Sequence, residues 1–185
     1  MSDEFNPDSW DAIEGVLQPA QTPEVIGHNA AAAYLCRNYA RGRLHHAWLL
    51  SGPRGIGKAT IAFRFAEHLL RYPDATAAPE KLEGGMDDSI HGQTVRGANP
   101  NILVVRRPFD YKAKKYKTQI TAPEMRQDLL RFIGNTGSNS SWRIVIVDPA
   151  DDLNIHSANA LLKFLEEPPA RTVFLIVAQT PRGLL

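Results

Sequence analysis

Short apolar runs alternate with amphipathic segments along most of this chain. Four mainly apolar runs are bounded by polar or turn-forming residues, as in buried strands: 47–50, 102–105, 142–147 and 172–178. Four further segments carry apolar residues at helical spacing: about 29–41, 61–70, 121–134 and 153–167. Because apolar strands that alternate with helices are typical of parallel sheets covered on both faces, the pattern predicts an α/β fold.

The apolar positions also predict which side of each helix is buried. The first helix is expected to bury four residues: Ala32, Tyr34, Leu35 and Cys36. The third helix, with Thr121 as a suitable N-cap, is expected to bury five: Met125, Leu129, Leu130, Phe132 and Ile133.

Three segments lack a clear apolar period. Residues 1–20 are polar and contain prolines, which predicts a flexible N-terminal arm ahead of one domain at 21–185. Residues 72–99 are rich in Ala, Pro, Gly and acidic residues, and we expect an irregular insert there. Residues 106–118 are basic with interspersed aromatics. We interpret this last segment as a solvated hairpin or excursion from the sheet, with contact to nucleic acid as the alternative.

A glycine-rich loop follows the first predicted strand and precedes a predicted helix. In this context glycines let successive backbone N–H groups point inward, and the helix N-terminus adds partial positive charge, so the loop is suited to phosphate. The lysine near its end adds a full positive charge. The candidate phosphate-binding residues are Gly52, Arg54, Gly55, Ile56, Gly57, Lys58, Ala59 and Thr60.

The position after the lysine departs from the usual phosphate-loop pattern. The pattern G-x-x-x-x-G-K-[ST] ends in a hydroxyl that ligates Mg²⁺, whereas this chain has Ala59. Thr60 comes one residue later, and one helical step turns a side chain by about 100°. The sequence therefore predicts a loop that holds phosphate without its usual metal ligand.

A carboxylate follows the apolar strand at 142–147. An acid there, here Asp148, is the expected partner of a phosphate-binding loop, since it orients Mg²⁺ directly or through water. Many such ATPases have a glutamate next, as the base for the attacking water, but this chain has Pro149. Loss of a general base typically lowers the rate by about 10²–10⁴-fold. We interpret Asp151 and Asp152 as caps of the next helix, with substitution for the missing base as the alternative.

Composition and charge restrict the class of protein. The chain has 185 residues, 43% hydrophobic and 22% charged, which is ordinary for one globular domain. Its net charge is +1, so contact with nucleic acid needs a local patch or partner subunits. The single cysteine, Cys36, excludes an internal disulfide and a cysteine-based zinc site within the chain. Apolar spans of about 18 residues and a signal sequence are both missing, so we expect a cytoplasmic protein without membrane contact.

Several of these segments resemble the AAA+ domains of bacterial clamp-loader subunits. The resemblance includes Val-Ile-Gly-His at 25–28, Leu-His-His-Ala-Trp-Leu at 44–49 before the loop, and Ile-Val-Asp-Pro-Ala-Asp-Asp-Leu-Asn at 146–154. Its most specific part is Ser-Ala-Asn-Ala-Leu-Leu-Lys-Phe-Leu-Glu-Glu-Pro-Pro at 157–169. It spans residues 22–185 except the insert and the basic segment, and it is closest to the delta-prime type of subunit.

The resemblance implies a fold, site roles and partners. The fold would be P-loop NTPase-like (AAA+), with Val25 and Ile26 near an adenine and Thr180 in a sensor position near a γ-phosphate. ATP, ADP, phosphate or sulfate would bind at the loop, with weak or no hydrolysis, since Ala59 and Pro149 fit a stator subunit. The implied partners are the delta and gamma/tau subunits and, through the complex, the sliding clamp and primed DNA.

The chain also departs from the family pattern. Subunits of this type often carry a four-cysteine zinc module, and residues 72–99 stand in its place without cysteine, so no zinc is expected. The lid and collar domains and the arginine finger of the family are not expected in this chain, which would then belong to a longer protein. The resemblance implies that the complex is a nucleotidyltransferase, the DNA-directed DNA polymerase III holoenzyme, and that this chain itself catalyses neither polymerisation nor efficient ATP hydrolysis.

Two other functions remain open. One is an active AAA+ ATPase, in which Thr60 and either Asp151 or Asp152 replace the missing groups. The other is a purely structural interaction module in which the glycine-rich loop is vestigial. Turnover of ATP that depends on Mg²⁺ would favour the first, and failure to bind any adenine nucleotide would favour the second.

Overall fold

A computed structural model of the chain describes residues 13–84, 88–134 and 141–180. The first part of the predicted arm and most of the polar loop predicted after residue 134 lie outside the described residues. The helices are α1 (Asn29–Ala40), α2 (Lys58–Arg71), α3 (Ser89–Val95), α4 (Ala122–Gly134) and α5 (Ile155–Glu166). The strands are β1 (Ala47–Ser51), β2 (Ile102–Val105), β3 (Phe109–Asp110), β4 (Lys115–Tyr116), β5 (Arg143–Val147) and β6 (Thr172–Ala178).

Four strands form a parallel sheet in the order β1-β6-β5-β2. The register pairs Leu50 with Val177 and Val105 with Val147, so the carboxyl ends of all four strands meet at one edge. β5 and β6 are central and almost entirely buried. The first strand, predicted to be buried, lies at the edge of the described sheet instead, and Leu49 is 47% exposed.

Helices cover both faces of the sheet, as the alternation of segments predicts. Successive residues of a strand point to opposite faces. Ile146 accordingly packs in a cluster with α1 and α2, which includes Phe65. Its neighbour Val147 packs in a second cluster with α4 and α5, which includes Leu129 and Leu161. The α/β fold predicted from the sequence is therefore confirmed.

Two apolar residues predicted to be buried lie on the wrong side of their helices. Tyr34 is 55% exposed and Leu130 is 61% exposed. The buried residues of α1 are Ala32, Leu35, Cys36 and Tyr39, which follow the helical period, and Tyr34 lies outside it. In α4, Leu129 is fully buried, so the next residue is turned by about 100° away from the core.

The start of α5 differs from the prediction in a way that matters for the site. Asn154 is its N-cap, because the side-chain oxygen accepts hydrogen bonds from the backbone N–H groups of His156 at 3.0 Å and Ser157 at 2.9 Å. Asp151 and Asp152 lie in a preceding 3-10 turn, Ala150–Asp152. The prediction that they cap the helix is wrong, and both carboxylates make other contacts.

The segment predicted to be irregular, residues 72–99, contains a 3-10 turn at Ala75–Ala77 and the helix α3. Polar contacts dock α3 on α2. The side chains of Arg64 and Glu67, each 1% exposed, pair at 2.9 Å, and Glu67 also lies 3.0 Å from Nδ1 of His91. Arg71 pairs with Asp88 at 2.7 Å. Apolar periodicity could not predict this helix, because charged groups hold it.

Candidate phosphate-binding site

The glycine-rich loop turns sharply between β1 and α2. Gly55 has φ of +81° and Gly57 has φ of +96°, in the left-handed region that side chains with a Cβ disfavour. Gly57 is the residue that caps the N-terminus of α2. The first backbone N–H groups of α2 therefore begin directly at the loop, where their partial positive charge favours an anion.

Lys58 holds the loop together from inside. Its side chain is buried, and Nζ donates hydrogen bonds to the carbonyl oxygens of Gly52 at 2.7 Å and Pro53 at 2.6 Å. Burial lowers the pKa of the ammonium, while the carboxylates of Asp148 and Asp151 raise it in part. An ammonium has three N–H donors, so one is left beyond these two bonds for a ligand oxygen.

A cavity of about 730 Å³ lies against this loop at the carboxyl edge of the sheet. This volume is within the range of pockets that hold small molecules, roughly 300–1,000 Å³. Ligands of parallel α/β sheets bind at this edge. The wall includes five groups of residues: Arg54, Gly55 and Gly57 from the loop, Lys58, Ala59 and Thr60 from α2, Arg106 and Arg107 after β2, Asp148, Pro149 and Asp152 after β5, and Gln179 after β6.

Most of the predicted phosphate-binding residues line this cavity, together with Asp148. The other two predicted residues, Gly52 and Ile56, contact side chains through their carbonyl oxygens. The carbonyl of Gly52 accepts a hydrogen bond from Lys58, and the carbonyl of Ile56 lies beside Nε2 of His28. Val25 packs against the core cluster of α1 and α2, and Ile26 is 83% exposed. The described wall includes neither of these two residues, so their place beside an adenine stays a prediction.

The residues present fit a phosphate better than they fit a metal ion. In the part of the chain that the structure describes, four cationic side chains line the cavity: Arg54, Lys58, Arg106 and Arg107. Ala59 offers no oxygen at the position where phosphate loops normally ligate Mg²⁺. The hydroxyl of Thr60 and the carboxylate of Asp148 are oxygen donors in the same wall, but Thr60 lies one helical step from the usual ligand position.

Asp151 connects the ends of the two central strands. Its carboxylate accepts hydrogen bonds from the backbone N–H of Gln179 at 2.7 Å and of Thr180 at 3.3 Å. The Thr180 hydroxyl also donates to it at 3.4 Å. These contacts place the predicted sensor residue, Thr180, beside Asp151, just after the last residue of β6.

Asp152 faces the cavity and pairs with a residue that sequence analysis did not single out for the site. The guanidinium Nε of Arg107 lies 2.8 Å from its Oδ2. Burial raises the pKa of the Asp152 carboxyl, and the positive charge of Arg107 lowers it in part. The signal that could have identified Arg106 and Arg107 is their position directly after β2, since residues that follow parallel strands meet at the ligand edge.

The N-terminal segment also reaches the site. Ile13, Val16 and Leu17 line the cavity while remaining largely exposed. The carbonyl of Ala20 accepts a hydrogen bond of 2.7 Å from Nη2 of the buried Arg64. The part of the predicted arm that the structure describes is thus attached to α2, close to the phosphate loop.

Among the described residues, none of the helices is both long and apolar enough to cross a bilayer.

Comparison with known proteins identifies the group to which the sequence belongs. A family model described as "DNA polymerase III, delta subunit" matches residues 27–185. DNA polymerase III subunit tau of Salmonella typhimurium is 30% identical over 176 residues, which cover 95% of this chain and 25% of that protein. DNA polymerase III subunit delta' of Pseudomonas aeruginosa is 33% identical over 146 residues, covering 78% of this chain and 40% of that protein. The chain thus spans between a quarter and two fifths of the length of these relatives.

The fold has a counterpart among solved structures. A DNA polymerase III, gamma subunit-related protein from Thermotoga maritima superposes with a TM-score of 0.52 and 16% identity, covering 83% of this chain and 41% of that protein. This likeness supports the P-loop NTPase-like α/β fold, and the sequence matches confirm the resemblance inferred from the motifs. The match to the family model covers most of the chain, and the chain therefore belongs to the DNA polymerase III delta subunit family.

Proposed function

We propose that this chain is the nucleotide-binding domain of a clamp-loader subunit that helps load the sliding clamp on primed DNA. In this proposal the domain holds nucleotide phosphates without hydrolysing ATP efficiently. The observation that carries the proposal is a single cavity in which Lys58 and its glycine loop face Asp148, while Ala59 and Pro149 replace the usual metal ligand and base.

Phosphate binding follows from the charges and donors of the wall. A phosphate would accept hydrogen bonds from the remaining N–H of Lys58 and from the N–H groups at the start of α2. The cationic side chain of Arg54 lies in the same wall. The carbonyls of Gly52 and Pro53 hold Lys58 in its present position. Phosphate oxygens can compete with these two acceptors, because an anion attracts the ammonium more strongly than a neutral carbonyl does.

Weak hydrolysis follows from the groups that the cavity lacks. Mg²⁺, where it is bound in such sites, neutralises charge that develops on the phosphoryl oxygens. Ala59 cannot ligate it, and Pro149 cannot accept a proton. The carboxylate of Asp151 accepts a hydrogen bond from Gln179, and that of Asp152 is paired with Arg107, so each already has a partner and is a poorer candidate to replace the base.

The relatives support the assignment to a replication complex, because they carry the names of DNA polymerase III subunits tau and delta'. Proposed partners are the delta and gamma/tau subunits, with the sliding clamp and primed DNA reached through the assembled complex. Neighbouring subunits would supply the ATPase activity, and this one would hold the ring together.

The test uses the full-length subunit alone and mixed with delta and gamma/tau subunits. We expect co-elution in size-exclusion chromatography, and we expect the subunit alone to turn over ATP no faster than its Lys58→Ala variant. Failure to co-elute would contradict the clamp-loader assignment. Turnover by the isolated subunit that requires both Lys58 and Mg²⁺ would identify an active ATPase instead.

A further inference from the structure

The basic segment at 106–118 forms a small hairpin outside the main sheet. β3 and β4 pair antiparallel, with Phe109 opposite Tyr116 and Asp110 opposite Lys115. This confirms the hairpin interpretation. The hairpin tip, residues 111–115, is exposed throughout and contains Tyr111, Lys112, Lys114 and Lys115. The proposed clamp-loader role assigns no task to this tip.

Local contacts give the tip a defined shape. One carboxylate oxygen of Asp110 accepts hydrogen bonds from the backbone N–H groups of Lys112 at 2.9 Å and Ala113 at 3.0 Å. At the base of the hairpin, the N–H of Lys117 donates to the carbonyl of Pro108 at 2.9 Å. The backbone that carries the lysines therefore forms an ordered turn, so the hairpin would lose less conformational entropy when it binds a ligand.

Positive charge is concentrated at the tip. The whole chain has a net charge of +1, whereas residues 106–118 contain six cationic residues and one acid. Two of the six already have acidic partners, since Arg107 pairs with Asp152 and Lys117 with Glu124. Among the ion pairs of the described residues, none includes the three tip lysines. Like charges so close together repel one another, and a polyanion would relieve that repulsion.

An aromatic ring lies beside these lysines. Tyr111 is 73% exposed, and its ring packs edge-on against Phe109 with centroids 5.1 Å apart. Phe109 is also in contact with Tyr116 at 5.1 Å, so the tyrosine rests on a small aromatic base. Because its ring is mostly exposed, a nucleobase can stack on it. Proteins that bind single-stranded nucleic acid combine cationic side chains along the backbone with such stacking surfaces.

We propose that the hairpin tip is a binding site for single-stranded nucleic acid. Lys112, Lys114 and Lys115 would contact successive phosphates, and Tyr111 would stack on a base. An acidic protein would be attracted by the same lysines, but its carboxylates would not stack on the exposed ring. Nucleic acid offers both phosphates for the lysines and bases for the ring, so the combination favours nucleic acid. The proposal depends on the hairpin alone and not on nucleotide binding in the cavity.

Fluorescence anisotropy with a labelled oligothymidylate tests this site at several salt concentrations. The variants are Tyr111→Ala and the triple change Lys112→Gln, Lys114→Gln, Lys115→Gln. The matched control removes three exposed cations elsewhere through Lys81→Gln, Arg96→Gln and Lys163→Gln. All of these positions are exposed, and circular dichroism melting curves verify that each variant is folded.

The two tip variants are expected to differ in how they weaken binding. The triple variant should make the dependence of log affinity on log salt concentration shallower, reducing the magnitude of its negative slope by about 2. Each phosphate contact with a single strand contributes about 0.7 to that magnitude. Tyr111→Ala should weaken binding by about 5-fold or more with the slope unchanged, as loss of base stacking does. The control triple variant should keep the wild-type slope.

Three results would overturn the proposal. The first is wild-type affinity in both tip variants, and the second is an equal loss in the control triple variant. The third is displacement of the oligonucleotide by polyglutamate as effectively as by unlabelled oligonucleotide, which would identify a general acidic partner. Nucleotide binding in the cavity is measured separately, so failure of one proposal leaves the other standing.

Discussion

The carboxylate of Asp151 accepts a hydrogen bond of 2.7 Å from the backbone N–H of Gln179. This bond connects the turn after β5 to the residue that follows β6, at the edge of the sheet where the phosphate loop lies. The two strands that precede Asp148 and Thr180 are therefore joined at their ends by a side chain that sequence analysis had assigned to a helix cap. Asp151 positions the edge of the site.

Replacing Asp151 should destabilise the fold. Asp151→Ala removes the acceptor of two backbone N–H groups, and hydrogen bonds to charged groups contribute about 1.5–3 kcal/mol each when buried. Because Asp151 is exposed, we expect a smaller loss of about 1–2 kcal/mol in the free energy of unfolding. Urea denaturation measures it, with Glu166→Ala, an exposed acid of α5, as the control. Equal stability of the two variants would contradict the positioning role.

Arg107 should protect phosphate binding from the charge of Asp152. In Arg107→Gln the carboxylate of Asp152 faces the cavity without its cation, so the pKa of Asp152 should rise further and its ionised form should repel a phosphate. Compared with wild type, Arg107→Gln should lose more of its affinity for ADP at pH 7.5 than at pH 5.5. The double variant Arg107→Gln/Asp152→Asn should recover part of this affinity. Isothermal titration at these two pH values checks the prediction. An equal loss at both values, with no recovery, would mean that Arg107 contacts the ligand only directly.

The buried pair of Arg64 and Glu67 should be essential for the packing of α3. Glu67→Ala leaves Arg64 charged and 1% exposed, and breaking a buried pair in this way costs about 3–5 kcal/mol. Glu80→Ala is the matched control, because Glu80 pairs with Arg41 on the surface and such pairs contribute about 0–1 kcal/mol. Chemical denaturation compares the two variants. Similar losses in both would contradict the structural role of the buried pair.

His68 should make the fold sensitive to acid. Burial lowers the pKa of His68 from 6.5 to about 4, and both ring nitrogens lack a described partner. Between those two pH values the unfolded chain binds a proton that the folded chain does not. Stability should therefore fall as the pH decreases from about 6.5 to about 4, by about 3 kcal/mol from this residue.

The variant His68→Phe isolates this contribution. His68 packs among Phe65, Tyr39 and Tyr72, so a phenyl ring suits its surroundings. The free energy of unfolding of wild type and variant is measured at pH 7 and at pH 4.5. On going to the lower pH, the variant should lose less stability than wild type. A difference that is independent of pH would show that His68 does not titrate as described.

Apolar patterning was sufficient to predict the main sheet and the helices on both faces. Each of these depends on side chains whose burial repeats with a strand or helix period, such as Ile146 and Leu129. The helix α3 has no such signal, because Glu67 and Asp88 hold it through charges. Polar docking of this kind depends on contacts between distant residues, which a local pattern does not contain.

Sequence patterns identified the loop and the strand-end residue Asp148 as parts of the candidate site, but not the two arginines that follow β2. The loop around Lys58 has a recognisable spacing, whereas Arg107 enters the cavity from a different strand and pairs with Asp152 from a third element. The roles of Asp151 and Asp152 depended on where α5 begins. Asn154 rather than an aspartate caps that helix, and the two carboxylates turn to other contacts.

Calorimetric titration of ADP tests the central claim, that the loop holds phosphate without its usual metal. The titration compares wild type, Lys58→Ala and Ala59→Ser, each with Mg²⁺ and with Mg²⁺ chelated. We expect wild-type binding that Mg²⁺ hardly changes, loss of binding in Lys58→Ala, and a new dependence on Mg²⁺ in Ala59→Ser, where a hydroxyl is restored at the ligand position. Wild-type binding that requires Mg²⁺, or no binding at all, would contradict the claim.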